Sequence, residues 1–424
     1  MKKYLFHLFY GILAFLLSCS DHTNTAEEPI VKDTPSTSLE EEAPAKVVLP
    51  PEFSRAEREA VENIAGFDTK FFSAANAVAG EGNFVCSPFS AAMLLSMLSN
   101  ITEPATSAEI AATLGTSDTD ALNSFSSKYL EWLPVADPAV KIGLANSVWY
   151  DNDNTLNTAF ADIASKCYAA EICQRDFSDN AKLLSDVNSW IDDKTSGLIP
   201  EMLKSIDPAV IAMQINALYF NGRWSNIFDK GNTVKGDFHT PGATIKVDMM
   251  NQRELHSYCE TSDYKAIKLD FGGSLFNAEI IMPSAGQNID DFISSGIVSK
   301  QRAYTPCDVK LALPRFRIAP CDKNLDVLKV LKQLGVKGFD KAQNVSIFTK
   351  PTQGHFTIEQ NAAIEFSEKG AEGAAATVSI MCNAGEPFVP EFKEVTFDRP
   401  FLFIISDYGS HRCLFTGKVI NPAI

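Results

Sequence analysis

The chain has 424 residues, 45% hydrophobic and 21% charged, with a formal net charge of −16. That is enough apolar material for a large core, and an acidic balance without clustered cations excludes nucleic acid as a partner. Ser20–Glu52 alone holds eight acidic and two basic residues, a net −6, so the remainder is only moderately acidic, which favours solubility.

The chain opens with Lys2 and Lys3, an apolar run from Tyr4 to Leu17, then Ser18 and Cys19. A short cationic start, about fourteen mostly apolar residues and a small residue before the cut predict a secretory signal peptide over 1–18. The run is too short for a stable membrane span. Leu16-Leu17-Ser18-Cys19 resembles a bacterial lipobox. The resemblance implies a lipidated Cys19 as the mature N-terminus; cleavage and release is the alternative. Several acyl chains on one residue would anchor the protein to a membrane, in the bacterial cell envelope at the outer membrane, with Asp21 hinting at surface display. Residues 19–52, rich in Thr, Ser, Glu and Pro, predict a disordered acidic tether, and folded structure is expected over 53–424.

The predicted elements then run in order. Helices are expected over Arg55–Asn76, Ser87–Ser99 and Ser107–Leu114, a strand over Val140–Tyr150, and helices over Thr158–Cys167 and Leu183–Thr195. Val210–Phe220 is an apolar run that fits a buried central strand. Strand-like runs follow at Lys246–Met250, Lys265–Asp270, Phe276–Met282 and Val309–Ile318, then helical spacing over Leu325–Leu334. Three short strands close the chain at Glu394–Phe397, Phe401–Ser406 and Cys413–Ile420. Helices early and strands late predict an α+β fold.

Enzyme chemistry is not legible. The four histidines beyond the tether, His239, His256, His355 and His411, fall in no H-E-x-x-H frame, and no serine falls in a G-x-S-x-G elbow. Gly80-Glu81-Gly82 and Gly272-Gly273 do not lead into a phosphate loop, and the acidic pairs Asp192-Asp193 and Asp290-Asp291 read as solvated surface. The nine cysteines include no C-x-x-C pair and no Cys/His ligand spacing, so neither metal nor cofactor is expected. Cys167 with Cys173, or Cys307 with Cys321, could form disulfides; buried free thiols are the other reading.

One segment stands apart. From Glu365 to Glu386 the chain reads EFSEKGAEGAAATVSIMCNAGE, and no proline occurs from Thr352 to Glu386, so every backbone N–H is available to a ladder. Gly370–Ala376 is almost all Gly and Ala, a poor choice for an ordinary strand. Ala371, Gly373, Ala375, Thr377, Ser379 and Met381 share one parity and are uncharged; Glu372 and the remaining alanines take the other, followed by Val378 and Ile380. Strand side chains alternate between faces. The first set can therefore enter a packed sheet while Glu372 stays in water. A flexible linker of small residues is the competing interpretation of the composition.

The neighbours of this segment carry a resemblance. Asn83-Phe-Val-Cys-Ser87-Pro88-Phe-Ser90, Val187-Asn188-x-Trp190 running on to Thr195-x-Gly197-x-Ile199, and Asn216-Ala217-Leu218-Tyr219-Phe220-x-Gly222-x-Trp224 with Phe228 come in order. Val247-x-Met249-Met250, Leu313-Pro314-Arg315-Phe316, Asp398-Arg399-Pro400-Phe401 and Phe415-x-Gly417-Lys418-Val419-x-Asn421-Pro422 follow. This series resembles the serpin family over essentially all of 53–424. The resemblance implies three β-sheets, about eight to nine helices and an exposed reactive-centre loop at about 368–392. It also implies a monomeric, non-enzymatic inhibitor that traps a protease by inserting its cleaved loop into the central sheet. A non-inhibitory serpin acting as carrier, chaperone or surface-binding protein is the alternative.

Carried over residue by residue, the hinge is Glu368, Lys369, Gly370, Ala371, Glu372, Gly373, Ala374, Ala375, Ala376 and Thr377, with Glu368 pairing with Arg315. Ser87, Ser90, Asn216, Trp224, Arg315 and Gln360 form the sheet-opening region, Gln360 standing where the family has histidine. Seventeen residues from Glu368 the reactive bond is Ala384–Gly385, with Met381–Cys382 and Cys382–Asn383 as alternatives, since Glu386–Pro400 is longer than usual. Nothing cationic lies between Lys369 and Lys393, so the expected target is an elastase- or subtilisin-like serine protease, with a cysteine protease the other class to test.

Overall fold

The computed structural model describes residues 46–197, 199–318, 325–340, 347–350, 355–370 and 389–423. The signal peptide, Cys19, the hinge residues Ala371 to Thr377 and all the reactive-bond residues from Met381 to Gly385 lie outside the described residues.

Ordered chain begins before Phe53. Val48 N–H donates to Ala136 O at 2.8 Å, and Trp132 Nε1 donates to Val48 O at 2.7 Å. Ser54 and Glu57 then form a reciprocal capping box that starts α1 (Arg55–Ala79). The first half continues with β1 (Phe84–Cys86), α2 (Pro88–Ser99), α3 (Pro104–Leu114) and α4 (Thr119–Trp132). After these come β2 (Val140–Asp151), α5 (Thr158–Tyr168), β3 (Ala170–Arg175), α6 (Asn180–Lys194) and β4 (Val210–Gly222). The second half is mostly strand: β5 (Val234–His239), β6 (Thr244–Glu260), β7 (Tyr264–Phe271), β8 (Phe276–Pro283), a short α7 (Ile289–Ser294), β9 (Thr305–Pro314) and β10 (Phe316–Ile318). It ends with β11 (Leu325–Asp326), α8 (Val327–Gln333), β12 (His355–Phe366), β13 (Glu391–Thr396), β14 (Phe401–Asp407) and β15 (Cys413–Val419). Eight α-helices and fifteen strands are thus present among the described residues, an α+β fold.

Several boundaries differ from the sequence expectation. β1, α4, β3, β5, α7 and β12 went unread. The run Leu325–Leu334 opens as two strand residues because Asp326 caps α8, its side chain accepting from Lys329 N–H. The first of the three closing strands begins at Glu391 instead of Glu394, since β13 pairs with β9 from Glu391↔Cys307 onward.

The strands form two hydrogen-bonded networks, the larger of which joins two of the three expected sheets. One has nine strands in the order β1-β15-β14-β8-β7-β6-β9-β13, with β5 also on β6. The reason is the length of β6: its 244–249 part pairs with β5, its 249–258 part with β9, and 257–260 with β7. One strand is thus shared by what would otherwise be two sheets. The other network has six strands, β10-β12-β4-β2-β3 with β11 on β12.

β4 is the centre of the six-stranded sheet, and its period of two sorts its side chains. Met213, Ile215 and Ala217 face a cluster built with Leu183, Val187 and Ile191, the buried stripe of α6. Ala212 and Phe220 face the main core, where the almost wholly buried α2 lies. A polar residue on that inner face therefore needs a partner from the same layer.

Candidate functional site at the seam of the six-stranded sheet

β12 lies parallel beside β4 from His355↔Val210 to Ala363↔Tyr219. Every other neighbour of these two strands within the sheet is antiparallel. Past Ala363 the strands part. Ile364, Glu365 and Phe366 pair only with β10, on the opposite edge of β12, and a cavity of about 700 Å³ opens between the ends, lined by Phe220, Ile227, Lys230, Arg317, Glu365 and Glu368.

Midway along the seam a row of buried polar side chains crosses three strands. Asn146, Asn216 and Gln360 are register neighbours on β2, β4 and β12. Asn216 Nδ2 donates to Asn146 Oδ1 at 2.8 Å, and Gln360 Nε2 donates to Asn216 Oδ1 at 3.3 Å. Gln360 closes the row onto α2: its Oε1 accepts from Ser87 N–H at 3.0 Å and its Nε2 donates to Ser87 O at 3.2 Å. Asn146 Nδ2 donates to Tyr168 O at 2.9 Å, tying the far end to α5. Ser87 caps α2, its hydroxyl accepting from Ser90 N–H at 3.1 Å. Ser90 thus joins through its backbone. Amide side chains satisfy both neighbours because each carries donors and an acceptor; Gln360 uses both kinds here.

The second group is at the top, about 20 Å away by strand rise from Gln360 to Phe366. Trp224 is buried, its ring stacked on Phe271 at 4.3 Å between centroids and edge-on to Phe366 at 5.2 Å. Its Nε1 donates to Ser367 O at 2.9 Å, its backbone N–H to Lys369 O at 3.3 Å, and Phe228 N–H donates to Glu368 O at 2.8 Å. The segment after β4 therefore holds the segment after β12. Gly370 ends the hold with φ +76°; a Cβ there would fall 2.3 Å from Gly222 O and 2.5 Å from Trp224 N. Only glycine fits that crossing.

Glu368 is 6% exposed. Its Oε1 accepts from Thr233 Oγ1 at 2.8 Å, and Arg315 Nη1 lies 3.6 Å from it. Arg315 is also bound to Asp248, through Nη2 to Oδ2 at 2.7 Å and through backbone N–H to Asp248 O at 2.8 Å. Lys235 reaches the other oxygen of Asp248 at 2.8 Å. The hydrogen bond from Lys235, then its charge and that of Arg315, hold the Asp248 carboxyl below its ordinary range.

The structure thus divides the six residues expected to govern sheet opening. Ser87, Ser90, Asn216 and Gln360 meet at mid-seam, while Trp224 and Arg315 stand at the top with Glu368. Sequence reasoning missed Asn146, Thr233, Asp248 and Ser367. An asparagine inside an apolar strand was a usable signal for Asn146, and Asp248 fills the slot left open in Val247-x-Met249-Met250.

Among the described residues no group of three or more His, Cys, Asp or Glu is placed to hold a metal. Cys167 and Cys173 are free thiols packed in different apolar clusters, Cys167 against the main core and Cys173 against the α6 cluster, so the bridge their spacing permits is not made. Cys307 is free and buried, and Cys321 lies outside the described residues. His256 is buried beside Gln252, with 3.3 Å between Nε2 atoms, and burial lowers its pKa from 6.5 to about 4.

Comparison with known proteins agrees with this architecture. Residues 62–422 match the family model described as Serpin (serine protease inhibitor). The chain is 30% identical over 354 residues to "Iris" of Ixodes ricinus, covering 80% of this chain and 92% of that protein. It is 29% identical to a "Serine protease inhibitor" of Cyanea capillata, covering 83% and 96%. Among solved structures, the thermophilic serpin tengpin in its native state superposes with a TM-score of 0.75 at 25% identity, covering 89% of this chain and 97% of that one. Arabidopsis AtSerpin1 in its native stressed conformation superposes with 0.76 at 25% identity, covering 86% and 99%. Ordered motifs, a parallel seam closed by a buried polar row and this match across most of the chain lead to one assignment: the protein belongs to the serpin family, whose members are generally protease inhibitors and not enzymes.

Proposed function

We propose that this serpin is a suicide-substrate inhibitor of an elastase- or subtilisin-like serine protease. The protease hydroxyl attacks the Ala384 carbonyl, the Gly385 amine leaves, and an ester joins the two proteins. The freed segment 370–383 then enters the seam between β4 and β12 before water can cleave the ester. The observation that carries this reading is the parallel seam itself, with a small-residue segment beginning at its open end. A strand entering there runs antiparallel to both neighbours, replacing one parallel ladder by two antiparallel ones, which are slightly more stable per residue. About fourteen residues at roughly 3.3 Å each move the attached enzyme about 45 Å. At about 1 kcal/mol net per added ladder bond, insertion yields on the order of 10 kcal/mol. That exceeds the few kcal/mol an oxyanion-hole contact supplies, so distortion of the bound protease is affordable.

Incubation with pancreatic elastase tests the reading. The expected products are a covalent complex that survives boiling in detergent and a released C-terminal peptide beginning at Gly385. Cleavage without a complex, across a panel of serine and cysteine proteases, would favour a non-inhibitory carrier or chaperone. A peptide starting at Cys382 or Asn383 would move the reactive bond. The tether reading is part of the same proposal: Cys19 carries lipid and holds the domain at the outer membrane, facing outward. Metabolic labelling with a radiolabelled fatty acid should mark the wild type and not Cys19→Ala, and protease shaving of intact cells should remove the domain.

A further inference from the structure

Glu368 is the last buried side chain before the hinge glycine, so the hinge leaves only when Glu368 gives up Thr233 and Arg315. Its cationic partner is incompletely engaged. Arg315 Nη2 makes a 2.7 Å charge-assisted hydrogen bond to Asp248, whereas Nη1 stops 3.6 Å from Glu368, beyond hydrogen-bond distance. The Arg315 backbone is pinned to the same residue, N–H to Asp248 O at 2.8 Å. Asp248 in turn stands directly across from Lys235 in the β5–β6 register and shares a 2.8 Å ion pair with it. Two carboxylates therefore draw on one guanidinium, and the one outside the hinge has the shorter contact.

We propose that Asp248 is a positioning residue that holds Arg315 short of Glu368 and thereby sets how readily the hinge segment detaches. The functional consequence rests on the inhibitor reading, but the detachment itself does not. With the charge of Asp248 removed, Arg315 is free to close onto Glu368 and complete a charge-assisted bond. Lys235 acts in the opposite sense: it occupies part of Asp248, so without it Asp248 draws Arg315 more strongly.

The test is hydrogen exchange at the Trp224 and Phe228 amides, which donate to Lys369 O and Glu368 O and so report detachment without any protease. In the full-length protein at low salt, Asp248→Asn should slow exchange at both amides roughly 1.5- to fivefold, the range for a partly exposed ion pair. Lys235→Gln should speed it. The Asp248→Asn effect should vanish in a Glu368→Gln background, because a merely structural role would persist there. Unchanged or faster exchange in Asp248→Asn, or an effect that survives Glu368→Gln, overturns the inference; should that variant fail to fold, the sign of Lys235→Gln decides alone. With a protease present, slower detachment should raise the number of serpin molecules consumed per enzyme trapped. An exchange shift without any covalent complex would sustain this inference while removing the inhibitor reading.

Discussion

Replacing Gln360 by methionine tests the mid-seam row. The two side chains are close in volume, so the change removes hydrogen bonds with little cavity. Gln360, Ser87 and Asn216 are 3%, 0% and 1% exposed, so water does not replace what is lost. Ser87 O keeps Ala91 N–H at 3.1 Å, but Ser87 N–H and Asn216 Oδ1 each lose the Gln360 contact. Stranding a buried polar group costs about 1–3 kcal/mol, so two groups predict a loss of roughly 2–6 kcal/mol in the uncleaved protein. Equilibrium urea unfolding of wild type and Gln360→Met, followed by far-ultraviolet circular dichroism, measures it. A change below about 0.5 kcal/mol would refute the claim that this row closes the seam. The proposal of insertion adds a second limb. With a strand between them, β4 and β12 would stand about 10 Å apart and Gln360 could no longer reach Asn216. The same substitution should then cost the loop-cleaved form clearly less.

Cleavage within 370–383 should raise the thermal midpoint sharply, because the inserted strand fills the seam; an unchanged midpoint would remove the conformational switch. Acidification should expose His256. Its folded-state pKa of about 4 lies below its ordinary 6.5, so the unfolded chain binds the proton first and stability falls as pH drops from 6.5 toward 4. About 2–3 kcal/mol should be lost by pH 4.5, and His256→Gln should flatten that part of the urea-midpoint profile. Gly370→Ala forces a side chain into a positive-φ crossing against Gly222 and Trp224, so exchange at the Trp224 and Phe228 amides should accelerate by about tenfold or more; wild-type rates would show that the crossing is not tight. Alkylation of the unreduced protein should label both Cys167 and Cys173, and a disulfide-linked peptide would contradict their packing in separate clusters.

The sequence by itself determined what local pattern and composition can carry. The α+β class, the limits of α2, β2 and β4, the small-residue segment after Glu368 and the family's ordered motifs were all legible there. α4 went unread although Ala121, Leu122, Phe125, Tyr129 and Trp132 follow a helical stripe, because its polar remainder masked it. Tertiary structure alone decided the site. Gln360 meets Asn216 because β12 pairs in parallel with a strand 144 positions earlier, and no local pattern encodes a long-range register. The division of the expected opening residues into two groups follows from strand rise along β12, and the merging of two sheets from the unbroken length of β6. The claim of Asp248 on Arg315 arises because the backbone passes from β9 to β10 beside β6, so two carboxylates far apart in the chain converge on one cation.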